Sequence, residues 1–173
     1  LWFNPRAYPR AWIVHDVTTL PPLPTDDPRT IDRRTCQVLF PQGKPRDFCK
    51  EATVETDWSI DLPSESAPDA RGALNEPCRV VSSAAERVEI QAILQSPGLL
   101  VVSDTFYPGW VAEVQTEGRP AVTAPILQTN RIMRGVVLPA GANRVVFSYR
   151  PTLFYFGAAI SVLGWLVLLV VPL

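Results

Sequence analysis

The segment Asp104-Thr-Phe-Tyr-Pro-Gly-Trp110 concentrates the residue types that could do chemistry in this chain. Tyr107 and Trp110 offer aromatic faces on which a sugar ring or a partner side chain can stack. Asp104 offers a carboxylate that could accept hydrogen bonds from sugar hydroxyls. A structural reading uses the same residues and is simpler. Pro108-Gly109 makes a sharp turn, Trp110 packs into a core, and Asp104 caps backbone N–H groups at the bend.

No catalytic constellation accompanies this segment. His15 is the single histidine, which excludes any mechanism needing two. His15 and Asp16 are adjacent, and neighbours on a strand point to opposite faces, so they cannot readily share a proton. Asp26-Asp27 and the pair Glu65 and Asp69 suggest the two carboxylates of glycoside hydrolysis, but both lie in proline-rich turns and read as solvated. The sequence has no Gly-x-Ser-x-Gly elbow, no glycine-rich phosphate loop and no metal-ligand spacing. The expectation is therefore no catalytic, cofactor-binding or metal-binding residue, and a chain that is not an enzyme by itself.

Cys36, Cys49 and Cys78 are an odd set, so they cannot all pair internally. In an oxidising compartment Cys36 with Cys49 is the preferred disulfide. They flank Pro41-Gln-Gly-Lys-Pro45, which would bring them together, and Cys78 would remain a buried thiol.

The elements that must position these residues are short strands. The chain has 173 residues and a formal net charge of −1, from 16 basic and 17 acidic side chains. That balance points to no nucleic-acid partner. Eighteen prolines, crowded toward the first half, work against long helices there. Tyr8–Val14 reads as a strand, with Trp12 and Val14 on one face and Ile13 on the other. Asp26–Arg29 is a turn or a short helical start, and Cys36–Phe40 a short strand. Residues 41–78 form a polar, proline-rich excursion with an apolar patch near Trp58 and Ile60. Cys78–Ser82 and Arg87–Leu94 alternate as half-buried strands do, and Leu99–Ser103 is a continuous apolar run suited to a central strand. Val111–Gln115, Ile126–Ile132, Arg134–Leu138 and Arg144–Tyr149 follow, separated by turns at Glu117–Pro120 and Pro139–Asn143. This pattern predicts a mainly β chain, a β-sandwich over residues 1–150.

Residues 153–173 read LFYFGAAISVLGWLVLLVVPL, without a charge. At about 1.5 Å per residue such a helix spans a hydrocarbon core of about 30 Å. Residues 151–173 are thus expected to form one C-terminal transmembrane helix. Phe154, Tyr155 and Phe156 sit at an interfacial belt. Gly157, Ser161 and Gly164 give a small-residue face for packing against other membrane helices. Arg144 and Arg150 precede the helix and no basic residue follows it, so charge counting alone would place the domain inside.

Three runs resemble the C-terminal region of the YfhO-type bacterial membrane proteins, which are similar to polytopic glycosyltransferases using lipid-linked sugars. They are Pro97-Gly-Leu-Leu-Val-Val-Ser-Asp-Thr-Phe-Tyr-Pro-Gly-Trp110, Arg134-Gly-Val-Val-Leu-Pro-Ala-Gly141, and Val145-Val-Phe-Ser-Tyr-Arg-Pro151 directly before a helix. Asn4–Val14 and Asp27-Pro-Arg29 are similar to the segment upstream. The likeness covers about two thirds of the chain in order. It departs at Gln115-Thr-Glu-Gly118, a longer hairpin than the family's, and the stretch from Gly43 to Cys78 matches nothing in it.

The resemblance implies a jelly-roll-like sandwich outside the bacterial cytoplasmic membrane, on the periplasmic side, followed by a closing transmembrane helix. It also implies that the catalytic, many-helix part of such proteins is missing here. The leading expectation is a non-catalytic accessory or structural subunit, with membrane lipid and other integral-membrane subunits as partners. It would clamp an assembly such as a photosynthetic reaction centre or a respiratory complex. The alternative is a fragment of a polytopic glycosyltransferase whose domain assists substrate binding.

Overall fold

A computed structural model describes residues 7–24, 27–57 and 76–170. Eleven strands and two helices make up the described chain, and the architecture is mainly β, in two sheets. One sheet has six strands, β1 (Ala11–Val14), β6 (Gly98–Thr105), β10 (Met133–Leu138), β9 (Leu127–Thr129), β3 (Glu51–Glu55) and β2 (Asp16–Leu20), in that order. The other has five, ordered β4 (Cys78–Ala84), β5 (Arg87–Leu94), β11 (Gly141–Tyr149), β7 (Trp110–Thr116) and β8 (Val122–Ala124).

The sheets pack face to face because each contributes one apolar side of its alternation. Val88, Ile90, Ala92 and Leu94 from β5 meet Val145 and Phe147 from β11 and Ala11, Ile13, Leu100 and Val136 from the facing sheet. Phe147 is fully buried at the centre. Truncating such a side chain to alanine typically costs about 3–5 kcal/mol.

The six-stranded sheet is apolar on its other face too, which explains the unbroken run in β6. Trp12, Val14, Leu99 and Val101 form a second cluster there with Ala52, Val54 and Leu127. Its roof comes from the segment after α1 (Pro28–Leu39). The Trp12 indole Nε1 donates to the Phe48 carbonyl at 2.6 Å, and Tyr8 stacks on Trp12 with centroids 5.9 Å apart. Trp12 and Val14 thus share one face and Ile13 takes the other, as alternation predicts.

Helix α1 corrects one expectation. Cys36–Leu39 is not a strand but the last turn of this helix, and Phe40 is its C-cap. Asp27 caps the start by accepting from the Thr30 backbone N–H at 2.9 Å, with Pro28 in the first turn. A five-residue apolar window cannot separate strand from helix, and only Val38 of α1 is fully buried. The helix is the crossover that parallel pairing of β2 with β3 requires. Those two strands, and β8, were not foreseen. The strand expected over Ile126–Ile132 shortens to β9, because Asn130 and Arg131 turn with φ of +48° and +75°.

Helix α2 (Thr152–Val170) follows β11. Among the described residues no helix is long and apolar enough to cross a membrane. The expected patch at Trp58 and Ile60 lies outside the described residues.

Candidate functional site

Strands from both sheets end around a cleft of about 810 Å³. The six-stranded sheet supplies Ser103, Asp104, Thr105 and Arg134 to its walls, with Arg10 just before β1. The five-stranded sheet supplies Ser83, Trp110 and Tyr149, and Tyr107 stands on the loop between β6 and β7. A β-bulge shapes the first wall: Met133 pairs with Thr105 but Arg134 pairs with Val102, leaving Ser103 and Asp104 unmatched. Such bulges re-aim side chains near sites.

Arg134 lies at the centre. Its side chain is only 6% exposed. The guanidinium carbon sits 3.9 Å from the centroid of the Trp110 ring, a cation–π stack. Trp110 and Tyr149 are cross-strand partners with ring centroids 5.4 Å apart. Arg134 Nε donates to the Thr105 carbonyl at 2.9 Å, while Nη2 lies 3.7 Å from Asp104 Oδ2, beyond hydrogen-bond range. Nη1 is buried with no hydrogen-bond partner. Burial pushes the Arg134 pKa down, partly offset by Asp104 and reinforced by Arg10.

Asp104 is held chiefly by Arg10. Arg10 Nε donates to Oδ1 at 3.3 Å and Nη2 to Oδ2 at 3.2 Å, while Nη1 donates to Ser83 Oγ at 2.6 Å. The expected capping of backbone N–H groups by Asp104 is therefore replaced by a two-pronged ion pair. Trp110 packs against the core at its edge, and Tyr107 is 61% exposed. The three residues singled out by sequence do share one cleft. With both oxygens of Asp104 engaged by arginine, its capacity to accept sugar hydroxyls is reduced.

Arg10, Arg134, Ser83 and Tyr149 were missed. Arg134 carried a signal, being the lone charge in the otherwise apolar Met133–Leu138. Arg10 carried none, since its partner is 94 residues away.

A second cavity, of about 450 Å³, lies against the outer face of the five-stranded sheet by Gln91, Ile93, Gln115 and Arg144. Arg144 is already closed against Glu89, at 2.7 and 3.0 Å.

The remaining candidates lie elsewhere. His15 bridges Glu76 through Nε2 at 3.0 Å and faces the Pro97 carbonyl through Nδ1 at 3.0 Å. Of the carboxylate pairs, Asp27 is the α1 cap; Asp26, Glu65 and Asp69 lie outside the described residues. Cys36, Cys49 and Cys78 are free thiols. On α2, Ser161 Oγ donates to the Gly157 carbonyl at 2.9 Å, and beyond the helix's own neighbouring backbone a Cβ on Gly157 or Gly164 would meet open space. Among the described residues no cluster of three histidine, cysteine or acidic side chains is placed to hold a metal.

Comparison with protein-family models, with curated proteins and with solved structures returns no match to this chain.

Proposed function

We propose that this chain is a non-catalytic accessory domain tethered to a membrane by its C-terminal helix. The domain is a jelly-roll-like sandwich on the periplasmic side of a bacterial cytoplasmic membrane. It serves as a structural subunit that clamps a larger integral-membrane assembly, for example a photosynthetic reaction centre or a respiratory complex, from that side.

One observation carries this reading. Phe154, Tyr155, Phe156, Ile160, Val162, Leu163 and Trp165 on α2 are each 59–70% exposed. The sandwich therefore leaves these side chains uncovered, and so large an exposed apolar surface marks a membrane or a partner. Helix α2 has 19 residues, about 28 Å at about 1.5 Å per residue, and the uncharged sequence continues to Leu173. Gly157, Ser161 and Gly164 would face neighbouring helices, and Phe154 to Phe156 the headgroup layer.

Alkaline carbonate extraction of bacterial membranes tests the tether. The chain should stay in the pellet, and release into the supernatant would overturn the reading. Native electrophoresis in mild detergent tests the assembly: the chain should migrate with other subunits, and a lone monomer beside intact neighbours would count against it. The three-run resemblance favours a second reading, a piece of a polytopic glycosyltransferase whose domain assists substrate binding. An intact mass several times 19.2 kDa would support that reading instead.

A further inference from the structure

We infer that the cleft between the sheet ends binds a singly charged phosphodiester, held by Arg10 and Arg134 above Trp110. The source is either an anionic phospholipid headgroup or a soluble phosphodiester. The lipid source rests on the membrane tether proposed above; the soluble source does not.

Charge is the first ground. Two guanidiniums and one carboxylate line the cleft, leaving a surplus of one positive charge. A monoanion cancels it, whereas a neutral ligand leaves it standing. The second ground is the orphaned donor. Arg134 is nine-tenths buried, yet Nη1 has no acceptor and Nη2 has none within hydrogen-bond range. Buried polar groups are ordinarily satisfied, and an arginine fork matches phosphate oxygens in pairs. Nη1 is closed to solvent as the side chain stands, so an acceptor arriving in the cleft meets Nη2 first.

Supporting donors are in place. Arg10 is 44% exposed and reaches the cleft from the solvent side. Ser83 Oγ accepts from Arg10, so its own O–H remains to donate. The aromatic floor is fixed. Trp110 is clamped between Arg134 and Tyr149, and a Cβ on Gly109, where φ is +96°, would meet Tyr149 at 2.9 Å. Position is the third ground. Tyr149 lines the cleft, Arg150 N–H donates to the Gly109 carbonyl at 2.6 Å, and α2 begins at Thr152. If α2 enters a bilayer, the cleft lies close to headgroup level.

The test uses the full chain, first in maltoside micelles without phospholipid and then in nanodiscs rich in phosphatidylglycerol. The probe is glycerophosphoglycerol, followed by calorimetry and by the Arg134 Nε–H signal in nitrogen-15 spectra. Saturable 1:1 binding in micelles is expected, with a shift of that signal. Arg10→Gln should weaken binding about tenfold, one charge-assisted hydrogen-bond pair being lost. Arg134→Lys keeps the charge, loses the fork and should weaken it similarly. Neutral glycerol should not bind. In the nanodiscs, loss of probe binding identifies the lipid headgroup as occupant, and unchanged binding identifies a soluble phosphodiester; both uphold the site. No saturable binding in micelles up to about 10 mM, or equal binding by Arg10→Gln, overturns it. Failure of the chain to enter nanodiscs while the probe still binds would sink the tether and leave the site.

Discussion

Strands β1 and β6 run antiparallel and carry a charge cluster at each end, and the two clusters are built differently. At one end His15 meets Glu76 and the Pro97 carbonyl, and the second Glu76 oxygen accepts from the Gln95 backbone N–H at 2.8 Å. The side chains of His15 and Glu76 are 11% and 4% exposed. Both ring nitrogens and both carboxylate oxygens have partners, so this end is a closed clasp joining the β1–β2 bend to the β5–β6 turn. At the other end Asp104 is shared by two arginines, Arg134 keeps an orphaned donor, and the cleft is open. The first arrangement has nothing left to bind. The second has unused donors and excess charge, which is the condition expected of a site rather than of a staple.

Substitutions can break this contrast. Glu76→Ala removes one partner of a buried pair and strands His15 and the Gln95 N–H. A loss of about 3 kcal/mol is expected in urea unfolding, and a loss below about 1 kcal/mol would show the clasp to be ornamental. Arg134→Met should behave otherwise. It forfeits the cation–π stack on Trp110 and the Nε hydrogen bond to the Thr105 carbonyl but also removes the orphaned donor, so stability should fall by no more than about 1–2 kcal/mol. A loss of about 3 kcal/mol would mean that the cleft is structural like the clasp.

Smaller effects sharpen the picture away from both ends. The Thr30 side-chain and backbone hydrogen bonds hold the Asp27 carboxyl below its ordinary 3.8. Its cap is therefore fully present above 3.8 and is lost as the pH falls through the depressed folded value. Amide exchange at Thr30 and Ile31 should accelerate selectively in that acid window, and Asp27→Asn should abolish the selectivity. The smallest effect is chemical. Burial pushes the Cys78 thiol up to about 11, while Cys36 is exposed. A disulfide-exchange reagent at pH near 8 should label Cys36 first and Cys78 last. Two missing thiols would instead reveal a Cys36–Cys49 disulfide, and equal rates would contradict the burial of Cys78.

Legibility in the sequence followed the range of the interactions. The strands of the second half, β5, β6, β10 and β11, were readable because alternation and turn residues are local. Asp104, Tyr107 and Trp110 were readable as a cluster because seven consecutive residues carry them. The helix over Pro28–Leu39 was half readable: Asp27-Pro28 signalled its start, but a single inward residue, Val38, gave too little periodicity to follow it to Leu39.

The sequence by itself determined that the chain is mainly β and that an uncharged apolar segment follows the last strand. Both depend on residue type and spacing along the chain. Only the tertiary structure decided that Arg10 and Arg134 converge on Asp104, from 94 and 30 residues away, and that one arginine is left with an unused donor. Pairing at such separations is set by sheet register and by the bulge between β6 and β10, neither of which is written in any short stretch of residues.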